Sequence, residues 1–241
     1  MMNKKGQITI FIIIAVIIIG AVILYFLLGN KLNSGISGQY TDNVYDYVEV
    51  CIEEGGEEAI YEISKNGGYN IQPEISTESG YPYYYINQTS YMPTKENIEN
   101  ELSSYVQGYI ANCVRDFKTF SDLNIYKGNI EVKTDIQEDK VIYDVHYPLS
   151  IIKNNETSVL EDWEGISFDI RLGTVYVSIL QFIKAQKSQE DLCLSCLMDA
   201  AESNDLYVEM QNYYNATIFT FRDENSLVQG EFLEFKFANE Y

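Results

Sequence analysis

The chain of 241 residues contains one histidine, one tryptophan, four prolines and four cysteines. With a single imidazole, a three-histidine metal site cannot form, and a Ser-His-Asp site has no place to form except around His146. No GxSxG turn and no glycine-rich phosphate loop occurs, so the common nucleophile and nucleotide motifs are missing as well. Cations are scarce: 16 Lys plus Arg stand against 36 Asp plus Glu, a net charge of -20. Nucleic acids are held by clustered Lys and Arg, so no nucleic-acid partner is expected. Nothing in the sequence calls for a cofactor or a resident metal, no catalytic residue is assigned, and the chain is expected not to be an enzyme. Acids themselves are absent before residue 42.

Hydrophobic residues make up 46% and aromatics 14%, with 21 tyrosines. That is too apolar for an acidic disordered chain, so a packed core is expected. The most apolar stretch is one block, Ile8 to Leu28, without a charge and with only Thr9 and Gly20 outside the apolar set. At about 1.5 Å per residue its helix would be roughly 31 Å long, matching a bilayer's hydrocarbon core. A transmembrane helix over 8–28 is therefore expected, with the lipid bilayer as its partner. Lys4 and Lys5 precede it and only Lys31 lies close behind, which puts residues 1–7 in the cytoplasm and the rest outside. Beyond the block the chain has 14 basic and 36 acidic residues, a net -22. Such a domain is well solvated and avoids anionic head groups.

The segment Lys4-Lys5-Gly6-Gln7-Ile8-Thr9-Ile10-Phe11 resembles the class III signal of archaeal type IV pilin-like proteins. It is also similar to the openings of single-span surface proteins of small-genome (DPANN) archaea. The resemblance covers residues 4–28. It implies cleavage between Gly6 and Gln7 with the apolar helix kept on the mature chain, and it raises a filament subunit as an alternative to a simple anchor. Phe11 stands where one pilin subgroup has Glu.

Residues 29–41, rich in Gly, Asn and Ser, read as a flexible linker to an extracytoplasmic domain over 42–241. Apolar spacing predicts a helix from Asp42 to Asn66, interrupted by Gly55-Gly56, and a second from Thr94 through Phe117. Period-two alternation then predicts a hairpin, Ile130–Thr134 with Val141–Leu149, and a strand from Ile166 to Leu172. Helices near Thr174–Gln186 and Gln189–Glu202 follow, then strands at Leu206–Gln211, Thr217–Arg222 and Glu231–Ala238. Helices and antiparallel hairpins in separate blocks make the fold class α+β.

Four cysteines outside a membrane read as two disulfides, Cys51–Cys113 between the two long helices and Cys193–Cys196 within a CxxC turn. Four free buried thiols are the alternative. CxxC at a helix start also allows a thiol-disulfide oxidoreductase. Three sequons make Asn87, Asn155 and Asn215 candidate glycosylation sites, although 19 Asn and 28 Ser plus Thr produce about two such triplets by chance. Tyr81, Tyr83, Tyr84 and Tyr85 form a candidate surface patch for other cell-surface proteins, because tyrosine offers rigid contact area with a polar tip. Packing of alternate tyrosines in an edge strand is the competing reading.

Overall fold

The structure, a computed structural model, describes residues 40–189 and 191–241. The apolar block 8–28, the cleavage candidates Gly6 and Gln7 and the linker up to residue 39 lie outside the described residues. Among the described residues no helix is long and apolar enough to cross a membrane. These residues form an α+β fold of four helices and two mostly antiparallel sheets.

Helix α1 spans residues 40–65, so the last two linker residues, Tyr40 and Thr41, already belong to it. Its 3.6-residue stripe of Val44, Val48, Cys51, Ile52, Ala59, Ile60 and Ile63 is buried. The expected interruption at Gly55-Gly56 is corrected, because the helix runs straight through. A Cβ on Gly55 would lie 2.7 Å from the Tyr109 ring, and one on Gly56 would lie 2.8 Å from Phe168 and 2.9 Å from Tyr143. The pair lets aromatic rings approach the helix backbone. The helix stops at Gly67 and Gly68 (φ +61° and +84°), where the Gly68 N–H donates to the Ile63 carbonyl at 2.8 Å.

Helix α2 (Lys95–Cys113) starts where Thr94 caps it, the hydroxyl accepting the Asn97 N–H at 3.2 Å. The Cys51–Cys113 disulfide joins α1 to α2 with Cα atoms 5.9 Å apart. Gly108 lies on the exposed side of α2, with open space where a Cβ would sit. Glycine in a helix interior costs about 1 kcal/mol relative to alanine. Gly108→Ala is therefore expected to stabilise the protein by about 0.5–1 kcal/mol in urea unfolding, and a loss of stability would contradict the open space seen there. After α2, Arg115, Asp116 and Phe117 take left-handed φ of 42°, 56° and 54°, a turn that buries Phe117.

The first sheet holds β3 (Asn124–Lys127), β4 (Glu131–Ile136), β5 (Val141–Lys153) and β6 (Glu156–Phe168). The expected hairpin is β4–β5, with Val132 opposite Val145 and Thr134 opposite Tyr143. The strand expected from Ile166 is corrected to β6, which begins ten residues earlier, while Leu172 opens a helix. Two register shifts along β5–β6 disturb the alternation that would have revealed it.

The second sheet has the order β2-β1-β9-β8-β7, with β1 (Tyr83–Ile86), β2 (Thr89–Ser90), β7 (Tyr207–Tyr213), β8 (Ala216–Val228) and β9 (Glu231–Glu240). Here β1 pairs parallel to β9, a contact across some 150 residues of chain. On the inner face Tyr84 stacks on Phe237 with centroids 4.5 Å apart, beside Phe219, Phe221 and Phe235. Helix α3 (Leu172–Gln186) brings Phe182 within 5.3 Å of Phe219. Helix α4 (Leu194–Glu202) is shorter than expected, starting after Cys193 rather than at Gln189.

Helix α1 spans both sheets. Near its start the Tyr45 ring stacks on Trp163 of β6 at 5.0 Å. Further on, Glu57 accepts the Gln229 N–H at 2.7 Å, and Tyr61 and Lys65 bond Glu231. At its end Gly67 touches Lys236 and Pro82. Thus α1 and β9 run the same way, from a pole where Lys153 sits over the Tyr40 ring to the pole where β9 ends. One apolar cluster draws on both sheets and all four helices, so the described residues share one main core.

Candidate functional site

The four candidate tyrosines divide between two environments, a correction to the single exposed patch. Tyr84 and Tyr85 are 0% and 2% exposed. Tyr84 points to the inner face and donates to the Gly67 carbonyl at 2.9 Å, and burial pushes its phenol well up. Tyr85 packs against Tyr241, whose phenol burial raises to about 12. A register shift between Tyr83 and Tyr85 breaks the alternation of β1, so two successive side chains, Tyr84 and Tyr85, are both buried.

Tyr81 and Tyr83 remain half-buried on the opposite face. There Ala216, Ile218 and Ala238 form a second, smaller apolar cluster, covered by the rings of Tyr81, Tyr83 and Tyr213. The register explains it: Tyr83 lies opposite Ala238, Ala238 opposite Ile218, and Tyr213 opposite Ala216. Small residues in the middle leave room for rings at the sides. Tyr214 stands beside Tyr213 at the tip of the β7–β8 hairpin, edge to face at 4.8 Å and 87% exposed. Tyr213 and Tyr214 are not in the sequence-derived patch. Their signal was the pair of aromatics at a strand end directly before the Asn215 sequon. Burial raises the Tyr83 phenol, with Glu240 and Glu78 adding to it, so this surface is aromatic with an acidic rim.

The three sequon asparagines are all exposed and all sit in two-residue hairpin turns: Asn87 in β1–β2, Asn155 in β5–β6 and Asn215 in β7–β8. At the first two turns both residues have positive φ, Asn87 and Gln88 at 48° and 62°, Asn154 and Asn155 at 50° and 66°. Tight hairpins select Asn there. Strand directions put the tips of Asn87 and Asn215 at the pole where β9 ends, beside Tyr241. The Asn155 tip lies next to Lys153, at the Tyr40 end.

His146 faces solvent on β5, its Nδ1 2.7 Å from Asp162 of β6. Its hydrogen bond to the Asp162 carboxylate raises its pKa above the ordinary histidine value. Among the described residues no Ser, Thr or Cys side chain is hydrogen-bonded to it. Glu49, Glu53, Glu54 and Glu57 of α1 line a groove of about 550 Å³ with Glu164. Among the described residues no group of three or more His, Cys, Asp or Glu is arranged to hold a metal ion. Asp223, in the irregular part of β8, has both carboxylate oxygens taken: Arg171 and the Asn225 N–H bond one, and Ser226 the other.

The cysteines form the two expected pairs, Cys51–Cys113 and Cys193–Cys196, and the alternative of four free thiols is set aside. The geometry thus defines an α+β, disulfide-bonded domain with an aromatic outer sheet face. Comparison with family models, curated proteins and solved structures finds no match.

Proposed function

We propose that this chain is a membrane-anchored cell-surface protein with a structural or interaction role. In this reading residues 8–28 span the bilayer, residues 1–7 stay in the cytoplasm, and the domain binds other cell-surface proteins through Tyr81, Tyr83, Tyr213 and Tyr214. The disulfide-bonded fold supports an extracytoplasmic setting, because disulfides persist in oxidising compartments. The observation that carries the binding role is the outer face of the second sheet, where aromatic rings sit over small apolar residues near the pole remote from Tyr40. Glu78 and Glu240 beside it, in a domain of strong acid excess, select a partner surface with an apolar centre and a basic rim.

Tyr214→Ala tests this, since a ring 87% exposed contributes little to the core. Loss of such an aromatic anchor costs on the order of 2 kcal/mol, so binding of the purified full chain to cell surfaces should fall roughly tenfold or more. The unfolding midpoint should not move. Unchanged binding would overturn the assignment of this surface. The filament-subunit reading rests on residues 4–28 and is separated by the mass of the mature N-terminus: an end at Gln7 supports it, and an intact Met1 or Met2 removes it.

A further inference from the structure

The second disulfide sits where helix α4 begins. Cys193 is the helix N-cap, its Sγ accepting the Cys196 N–H at 3.3 Å, and the Ser195 hydroxyl lies 3.6 Å from the same sulfur. The buried Gln186 amide fixes the approach to the helix: its Oε1 accepts the Cys193 N–H at 2.9 Å and its Nε2 donates to the Asp191 carbonyl at 2.8 Å. The first turn of α4 holds no acid. Both cysteines are partly exposed. Leu194, between them, and Met198, one turn on, are 53% and 51% exposed.

Stability is a weak reason for this bond. Closing the Cys193–Cys196 loop removes only about 2 kcal/mol of unfolded-state entropy, roughly half of what the loop between Cys51 and Cys113 gives. A helix N-cap with two donors aimed at one sulfur, on the other hand, stabilises a thiolate there and makes it a good leaving group.

We propose that Cys193–Cys196 is an exchange-active disulfide that oxidises a dithiol in a partner polypeptide, whose apolar flanks rest on Leu194 and Met198. A thiolate of the partner attacks Cys193 Sγ, the Cys193–Cys196 bond breaks, and Cys196 leaves as a thiolate that takes up a proton. The partner's second thiolate then attacks the mixed disulfide at its own sulfur. Cys193 departs as the thiolate held by the Cys196 N–H and the Ser195 hydroxyl, and it too is protonated. The partner loses two electrons and two protons and gains a disulfide, while the pair becomes a dithiol. Exchange with a second disulfide, of a protein or of glutathione, reverses the steps and restores the pair. This activity does not depend on the aromatic surface described above.

The test uses the full chain in detergent with glutathione buffers as the probe. Cys193–Cys196 is expected to be reduced by glutathione under conditions that leave Cys51–Cys113 oxidised, read by alkylation and mass. With glutathione disulfide, Cys196→Ala, which leaves Cys193 free, should form the mixed disulfide roughly tenfold faster than Cys193→Ala, which leaves Cys196 free. Circular dichroism and an intact Cys51–Cys113 bond verify that both variants fold. Equal resistance of the two disulfides to reduction, or equal rates for the two variants, would overturn the proposal.

Discussion

Arg171→Ala is expected to destabilise the domain by about 3 kcal/mol, the lower end of what breaking a buried ion pair costs. The Asp223 side chain is fully buried, and Arg171 Nη1 reaches its carboxylate at 3.0 Å while keeping 24% exposure of its own. That residual exposure is what places the cost at the low end. Arg171 also donates through Nη2 to the Asn204 carbonyl at 2.6 Å, and its own N–H donates to the Ser226 hydroxyl at 2.9 Å. The pair therefore fastens three elements: the start of α3, the end of α4 and the irregular part of β8 between Asp223 and Leu227. Removing the cation leaves a carboxylate in the interior with only the Ser226 hydroxyl and the Asn225 N–H. Urea unfolding measures the loss. The double variant Arg171→Met with Asp223→Leu should recover most of it, because an apolar pair carries no desolvation penalty. A single variant that behaves like a surface substitution would show that water reaches Asp223.

Cys51→Ala combined with Cys113→Ala has a comparable expected effect, about 4 kcal/mol by unfolded-state entropy. The bond closes 62 residues and lies between two helices that the core already holds together, with Cys51 1% exposed. For a domain of this size the thermal midpoint should fall by roughly 10 °C. Full reduction of the native protein, which also opens Cys193–Cys196, should lower the midpoint somewhat further, and a variant as stable as the native chain would mean that the unfolded chain keeps α1 and α2 together.

Features that depend on local chemistry were the readable ones. The helix expected from Thr94 does begin there, with Thr94 as its cap, although it ends at Cys113 rather than Phe117, and Val132, Thr134, Tyr143 and Val145 alternate and pair as a hairpin. The disulfide pairing also followed from helix faces, since Cys51 and Cys113 both lie on apolar stripes. Features set by distant partners were not readable. Gly55-Gly56 looks like a helix breaker until the rings of Tyr109, Tyr143 and Phe168 are set against it. Strand β1, between two prolines, is defined by a parallel neighbour at the far end of the chain. Of the four candidate tyrosines, Tyr81 and Tyr83 are half-buried on the outer sheet face. The burial of Tyr84 and Tyr85 depends on the register shift of β1 against β9, and Tyr213 and Tyr214 come from a distant hairpin.

The Cys51–Cys113 bond also decides how the domain bears load. Tension applied at residue 40 peels α1 only as far as Cys51, and then passes through the sulfur bridge to Cys113. The intervening 62-residue span is bypassed, withholding roughly 200 Å of slack at about 3.4 Å per residue. The rest of α1, β1, β2 and nearly all of α2 lie within that shielded segment, so the helix pair stays shut while force is carried by the strands that follow.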